Sequence, residues 1–150
     1  MDDALKLRES LRKLERILGM LDKTQASCCG TNLSQCQALV EIGRRDGLTV
    51  NGLADILMLD KSTTSRIIQY LVDQNWVIRS ENAEDRRIQE VSLTSSGLTQ
   101  YETIEASMND FYQKVFTNIV PSQRESLVEN IAELVSAIEK IKMDNYFPCL

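Results

Sequence analysis

The chain has 150 residues, of which 43% are hydrophobic, and its formal net charge is −5. This length suits one domain, with or without an oligomerisation element, and the apolar content excludes global disorder. Two prolines and six glycines leave little room for long loops, so the composition predicts a mainly helical protein. Because the apolar runs are too short to span a bilayer and residues 1–10 lack a signal-peptide pattern, we expect a cytoplasmic location with no membrane partner.

The chain contains four cysteines and no histidine. Without histidine, Ser-His-Asp and Cys-His mechanisms are excluded, and the commonest general base is missing. The sequence has no CxxC pair and no glycine-rich phosphate loop, which are the usual signatures of thiol redox enzymes and nucleotide-binding proteins. We therefore expect a protein that is not an enzyme, and we keep a thiol redox protein or a metal carrier as the less favoured alternative.

The N-terminal third predicts two helices separated by a loop. The first covers Asp2 to Asp22, and its apolar stripe suits either a surface helix or a dimerisation helix. Residues 24–30 are small and polar, which predicts a loop. The second helix begins after Asn32, whose side chain forms a capping box with Gln35, and it ends before Gly47.

The central stretch, residues 48–94, predicts two close helices and a β-hairpin. Thr49 caps a short helix over residues 50–57, and Asp60 caps a longer one over residues 61–75. The segments 76–80 and 87–93 are β-prone, with alternating apolar residues in the second, and a polar loop joins them. Two further helices follow, over residues 95–118 and from Pro121 to about residue 143, before a tail at residues 144–150.

The longer central helix has the size and the side chains to enter the major groove of DNA. Short hydroxyl side chains near its N-terminus can bond a phosphate or a base edge, and the helix dipole favours phosphate there. Arg66 can pair with guanine or clamp a phosphate, and Gln69, further along the helix, can bond adenine or face a phosphate. The predicted contacts on this helix are Lys61, Ser62, Thr63, Thr64, Arg66 and Gln69.

The hairpin tip predicts a second contact. Arg86 and Arg87 suit a narrow A·T-rich minor groove, and Asp85 is expected to orient Arg87 by a charge-assisted hydrogen bond. Each piece taken alone also fits an ordinary solvated surface. Helix, tight turn, helix and hairpin in this order are far more specific than any one of them.

This arrangement resembles the multiple antibiotic resistance regulator (MarR) family. The resemblance is carried by LADILMLDKSTTSRIIQYLVDQNWVIR, by Asp85-Arg86-Arg87 and by VSLTSSG, and the flanking helices extend it over nearly the whole chain. It implies a mainly α fold in one domain, with a winged helix-turn-helix at about 33–94 and dimerisation helices at about 2–23 and 95–143. It also implies a homodimer that binds a pseudo-palindromic DNA operator, with residues 61–75 as the recognition helix and Arg87 in the minor groove. One wing feature differs from many members of the family: the acidic residues Glu81 and Glu84 lie beside the tip.

Members of this family usually repress and leave DNA when a signal arrives, and the cysteines are candidates for sensing it. Cys28 and Cys29 lie shortly before Cys36, where a helix N-terminus favours thiolate. Three sulfurs can bind a soft ion such as arsenic(III) or antimony(III), or one can oxidise and be resolved by a neighbour. Cys149 is a bystander or a fourth ligand from the other subunit.

Other interpretations of the signal stay open. Cys36 lies on an apolar face with Leu33 and Leu39, so it also fits a small core residue. The effector can instead be a small aromatic molecule in a cleft between the dimer and DNA-binding regions. No cofactor is required by the sequence, apart from a soft metal(loid) ion if the cysteines bind one.

Overall fold

The computed structural model describes the backbone of residues 2–143 and the side chains of residues 2–21 and 30–141. Nine elements follow one another in the described residues: α1 Asp3–Cys29, α2 Leu33–Arg44, β1 Leu48–Thr49, α3 Val50–Leu57, α4 Lys61–Asp73, β2 Val77–Glu81, β3 Gln89–Leu93, α5 Ser95–Thr117 and α6 Pro121–Met143. The chain divides into two compact units, and the boundary follows Glu105 inside α5. The predicted tail at residues 144–150, with Cys149, lies outside the described residues.

Helix α1 is longer than the sequence indicates. It begins after Asp2, whose carboxylate accepts a hydrogen bond from the Ala4 N–H, and it continues to Cys29. The predicted loop at residues 24–30 is therefore wrong. The segment 24–29 contains neither proline nor glycine, and small polar residues are tolerated in a helix, so the helix continues until Gly30 adopts a left-handed conformation with φ 66°.

Three helices form the core of the first unit. The predicted capping box is confirmed at the start of α2, where the Asn32 and Gln35 side chains each accept a hydrogen bond from the other residue's backbone N–H. Helices α2, α3 and α4 pack on one another, α2 and α3 also contact β3, and α4 contacts β2. The largest fully buried side chains come from these elements and from β2: Leu39, Leu53, Thr64, Ile68, Leu71, Val77 and Val91.

The turn between α3 and α4 is tight, as predicted. Thr49 caps α3 by accepting a hydrogen bond from the Gly52 N–H at 3.0 Å. Helix α3 then ends at Met58, which adopts a left-handed conformation with φ 54°, and the Leu59 N–H donates back to the Ala54 carbonyl at 3.0 Å. Asp60 caps the next helix two residues later, so the two helices are joined with almost no spare chain.

A three-stranded antiparallel sheet lies beside these helices in the order β1-β3-β2. The predicted hairpin pairs Val77 with Leu93 and Glu81 with Gln89. Strand β1 was not predicted, because two residues are too few to show an alternating pattern. It pairs Leu48 with Val91 and thereby closes the sheet against the helices.

The start of α5 is fixed against the end of α4. Asn75 adopts φ 60°, and its carbonyl accepts hydrogen bonds from the hydroxyls of Thr94 and Ser96. The Thr94 hydroxyl oxygen in turn accepts a bond from the Gly97 N–H at 2.9 Å, which caps the first turn of α5. A Cβ at Gly97 would lie 1.8 Å from the Trp76 carbonyl oxygen, so only glycine fits there.

The second unit contains the rest of α5 and all of α6. Phe111 and Tyr112 meet edge to face with ring centroids 5.1 Å apart. The Arg124 guanidinium lies 5.9 Å from the Phe116 ring centroid and donates to the Ile119 carbonyl, which links α6 to the turn before it. Among the described residues, no helix is both long enough and apolar enough to cross a membrane.

Candidate nucleic-acid interface

The first turn of α4 is organised by Asp60. Its carboxylate accepts the Thr63 N–H at 2.8 Å and the Thr63 hydroxyl at 2.7 Å. These two bonds, with the hydroxyl bond the larger contribution, lower the pKa of Asp60 from its ordinary value of 3.8. The cap leaves the N-terminal end of α4 exposed to solvent, with its amide dipoles pointing outward.

One face of α4 is exposed and polar over its whole length. It carries Lys61, Ser62, Ser65, Arg66 and Gln69. The Arg66 guanidinium donates to the Ser62 hydroxyl at 3.3 Å, and the Gln69 amide donates to the Asp73 carboxylate at 2.8 Å. These contacts are weak or exposed, so each side chain can exchange its partner for an incoming acceptor.

The two threonines of α4 have different environments. Thr64 is fully buried, and its hydroxyl donates to the Asp60 carbonyl at 2.9 Å, so the prediction that Thr64 contacts DNA is wrong. The reason is helical geometry, because position 64 lies on the face that carries Ile67, Ile68 and Leu71. Thr63 is half-buried, and its hydroxyl hydrogen is used by Asp60, so an oxygen lone pair remains at the rim of the exposed face.

The wing loop between β2 and β3 is built around Asn82, which was not among the predicted site residues. Its side-chain oxygen accepts the backbone N–H groups of Glu84 at 2.8 Å and Asp85 at 3.0 Å. Its side-chain nitrogen donates to the Glu90 carboxylate, and its backbone N–H donates to the Ile88 carbonyl. An asparagine at the start of a polar loop is the one signal that predicts such a role.

Asp85 does contact Arg87, but not through the charge-assisted side-chain hydrogen bond that the sequence predicts. Its carboxylate accepts the backbone N–H of Arg87 at 3.0 Å, so it shapes the turn through the main chain, and no guanidinium bond between the two is among the hydrogen bonds of the described residues. The side chains of Arg86 and Arg87 are exposed at the tip. Asp85 is therefore a turn-forming residue in this structure.

The candidate thiol site is described only at Cys36. Its sulfur lies 2.9 Å from the hydroxyl oxygen of Thr31, a side chain that is almost fully buried. Cys36 itself is half-buried at the start of α2. The side chains of Cys28 and Cys29 lie outside the described residues, and within the described part of the chain no cluster of three potential metal ligands occurs.

A shallow cleft in the first unit opens between the end of α2, the end of β3 and the start of α5. Its volume is about 360 Å³. Apolar side chains line one part of it and hydroxyl and charged groups line the rest, namely Ile42, Gly43, Arg45, Asp46, Ser92, Leu93, Thr94, Ser95 and Leu98.

Comparison with known proteins gives a family match for the middle of the chain. Residues 30–88 match the MarR family model. The regulator SarZ of Staphylococcus epidermidis, described as an HTH-type transcriptional regulator, is 29% identical over 100 residues, and the match covers 65% of this chain. The match also spans 65% of the length of that relative.

Solved structures give the same fold. A MarR transcriptional regulator from Methanosarcina mazei Go1 is 26% identical and superposes with a TM-score of 0.77, covering 90% of this chain and 97% of the other. The MepR–DNA complex of Staphylococcus aureus is 20% identical with a TM-score of 0.75, covering 87% and 96%. The predicted fold class, a mainly helical chain with a winged helix-turn-helix, is thus confirmed, and within it residues 30–88 match the MarR family model.

Proposed function

We propose that the chain is a DNA-binding transcriptional regulator that inserts α4 into the major groove and the wing arginines into the adjacent minor groove. The observation that carries the proposal is the exposed polar face of α4, which begins in the solvent-exposed first turn and extends to Gln69. Helix α4 has 13 residues, a length that fits a major groove. The wing arginines belong to the same compact unit.

Two comparisons support this proposal. MepR, which shares the fold, has been solved with DNA, and SarZ is described as a transcriptional regulator. The contacts we propose are Lys61, Ser62, Thr63, Ser65, Arg66 and Gln69 in the major groove, with Arg86 and Arg87 at the wing.

The test is a gel shift with duplexes selected by the protein from a random pool. Binding should fall steeply as salt rises, because cations on the protein replace counterions on DNA. Arg66→Ala and Arg87→Ala should each weaken binding by roughly five- to a hundredfold, which is the range for a single base or groove contact. Arg8→Ala removes the same charge from the exposed surface of α1 and should leave binding nearly unchanged. Equal losses in all three variants would contradict the proposal.

We further propose that the protein acts as a homodimeric repressor on a pseudo-palindromic operator. Helices α1 and α6 each expose a row of large apolar side chains, which is unusual for a monomer. Two copies of α4 can then read two half-sites one helical turn apart. Repression itself is tested with a reporter gene placed under the selected operator. Expression of the reporter should rise when the gene for this protein is deleted.

The proposed release signal is oxidation or soft-metal binding at Cys28, Cys29 and Cys36. The short contact between Cys36 and the Thr31 hydroxyl supports it, because any modification of this sulfur would displace a buried side chain at the start of α2. Peroxide or arsenite should release the wild-type protein from its operator. Replacing all three cysteines by serine should abolish this release, and retained release would exclude these three thiols as the sensor.

A small aromatic ligand is the second candidate signal, and the cleft bordered by Leu93 and Leu98 favours it. Its walls come from the end of β3 and the start of α5, so a ligand bound there would contact both the wing sheet and the helix that leaves this unit. Salicylate is a suitable probe, since it combines an aromatic ring with a carboxylate. Release of operator by salicylate from the triple serine variant would favour this candidate over the thiols.

A further inference from the structure

We infer that Asn82 is the positioning residue of the wing and that it determines how strongly the protein prefers an A·T minor groove. The inference rests on the proposed DNA binding and deepens it. Among the hydrogen bonds of the described residues, the Asn82 side chain reaches outside the loop only to the Glu90 carboxylate on β3. Its remaining bonds all go to the loop that carries Arg86 and Arg87.

The first step concerns the shape of the loop. The chain runs from Glu81 to Gln89 between the last paired positions of β2 and β3, and this excursion is too long for a tight two-residue turn. A single side-chain oxygen at Asn82 holds two consecutive backbone N–H groups, those of Glu84 and Asp85. The Asp85 carbonyl then accepts the Ile88 N–H at 3.0 Å. Removing the Asn82 amide leaves the first half of the loop without these anchors.

The second step concerns charge. Glu84 and Asp85 precede the two arginines in the loop and Glu90 follows them on β3. Free carboxylates beside a minor groove would oppose binding. The Asp85 carboxylate is occupied by the Arg87 N–H, and the Glu90 carboxylate is occupied by the Asn82 amide. Asn82 therefore fixes both the backbone from which the arginines project and the direction of one nearby acid.

The third step concerns specificity. A minor groove lined by A·T pairs is narrow and strongly negative, and it attracts an arginine only if the side chain enters at the right place. A disordered loop still attracts DNA by charge, but it samples many entry points and loses the preference for the narrow groove. Loss of Asn82 should thus reduce selectivity more than it reduces nonspecific binding.

The experiment measures binding of the full chain to a selected duplex in three forms, which differ only at the positions flanking the major-groove site. These positions hold A·T, G·C or inosine·cytosine pairs. An inosine·cytosine pair keeps the major-groove acceptors of G·C and lacks its minor-groove amino group. The wild-type protein should bind the A·T and inosine forms about tenfold more tightly than the G·C form.

Asn82→Ala should bind all three forms about equally, at the level of the wild type on G·C. In an Arg87→Ala background, the same substitution should cause less than a twofold further loss, because Asn82 acts through that arginine. An undiminished groove preference in Asn82→Ala would overturn the inference. A full additional loss in the Arg87→Ala background would also overturn it, since Asn82 would then act independently.

Exchanging the hydrogen-bond donor and acceptor between positions 82 and 90 separates the positioning role of Asn82 from effects of net charge and of misfolding. Asn82→Asp keeps the oxygen that anchors the loop N–H groups but places a second carboxylate against Glu90, so it should weaken A·T binding about tenfold. Adding Glu90→Gln restores a donor–acceptor pair with the wild-type net charge, and A·T binding should return to within about twofold of wild type. A double variant as weak as Asn82→Asp overturns the inference.

Failure of the proposed function gives a different result. If the protein selects no duplex and shows no salt-dependent binding, both the DNA-binding proposal and the inference about Asn82 fall. If the protein binds duplex DNA but the wild type does not distinguish the three forms, DNA binding stands and the inference alone is overturned.

Discussion

At the scale of single residues, the cap of α4 combines folding and function. Asp60 holds the first turn through the N–H and the hydroxyl of Thr63, and the neighbouring Thr64 hydroxyl satisfies the Asp60 carbonyl from the buried side. Asp60 is itself negative and lies at the end of α4 that would approach phosphate. Its carboxylate is retained there because the helix needs an acceptor at this position.

The lowered pKa of Asp60 predicts a pH dependence of stability. A carboxyl group whose pKa is lower in the folded than in the unfolded state contributes stability above its unfolded pKa and loses it as pH falls through the folded pKa. The wild type should therefore have a higher urea midpoint than Asp60→Ala at about pH 6, and the difference should shrink as pH falls from roughly 4 towards 2.

Asp60→Asn is the matched control for this measurement. The amide accepts the same capping bonds but does not titrate, so its difference from Asp60→Ala should stay constant over the same pH range. If the difference in urea midpoint between the wild type and Asp60→Ala also stayed constant down to about pH 2, the charged carboxylate would have no role in the cap.

Gly97 gives a second prediction at this scale. Any side chain there would collide with the Trp76 carbonyl, a backbone atom that cannot move without breaking the junction of α4 and α5. Gly97→Ala should lower the free energy of unfolding by about 3 kcal/mol or more. Gly19→Ala, in the open middle of α1 where nothing lies within 4 Å, should instead raise it by about 0.5–1 kcal/mol, measured by urea denaturation. Equal effects of the two substitutions would contradict the proposed collision.

At the scale of elements, local rules predicted most of the fold. The caps at Asn32, Thr49 and Asp60 were readable because each is a short polar residue immediately before a periodic apolar pattern, and all three are confirmed. The end of α1 was missed because nothing local stops a helix before Gly30. Strand β1 was missed because only its partner Val91 makes it a strand.

The candidate site was predictable from the sequence where it lies on a helix and much less so in the wing loop. The exposed positions of α4 follow from the helical period, and so does the burial of Thr64 once the core face is known. The role of Asn82 depends on bonds to residues up to eight positions away, Glu90 among them, in a loop without periodicity. The one sequence signal for this role is an asparagine at the start of a polar loop, and no periodic pattern strengthens that signal.

The contact between α2 and α5 predicts that side-chain packing contributes more than the ion pair to the free energy of unfolding. A Cβ at Gly43 would lie 2.6 Å from the Tyr101 ring, whereas the neighbouring Arg44 forms a two-bond ion pair with Glu105 at 3.0 and 3.1 Å. The Arg44 side chain is half exposed, so solvent screens the pair even though the Glu105 bonds raise the pKa of Arg44.

Gly43→Ala should therefore cost about 1–3 kcal/mol in unfolding free energy, because the Tyr101 ring must leave its place against α2. Glu105→Gln should cost less than about 1 kcal/mol. Urea denaturation of both variants, with tyrosine fluorescence to follow the ring, gives the comparison. A larger loss in Glu105→Gln would mean that the ion pair is the main fastening of these two helices.

At the scale of the whole molecule, the distribution of charge matters more than its total. The net charge of −5 is compatible with DNA binding because the exposed face of α4 carries Lys61 and Arg66, and the acids Asp60 and Asp73 lie only at its two ends. Helix α6 instead carries Glu125, Glu129, Glu133 and Glu139. Acidity on a helix that is not proposed to meet DNA can also disfavour nonspecific contact with phosphate.

The apolar row on α6 gives the last prediction. Val128, Ile131, Val135 and Ile138 are each about half exposed and recur at spacings of three and four residues, which is the pattern of a helix–helix seam. A charge in such a seam is costly to desolvate, so Ile131→Lys should shift the protein from dimer to monomer in analytical ultracentrifugation. Glu133→Lys places the same charge on another face of α6 and should leave the dimer intact.

Loss of the dimer should also reduce operator affinity, although Ile131 lies in a different compact unit from α4. Two linked modules bind a two-part site with an effective concentration that raises affinity by roughly 10²–10⁴ over one module alone. The Ile131→Lys variant should therefore bind a duplex with the full operator about as weakly as it binds a duplex with a single half-site. The Glu133→Lys variant should still bind the full operator more tightly than the half-site. If the monomeric variant bound the full operator as tightly as wild type, one module would suffice and the operator need not be palindromic.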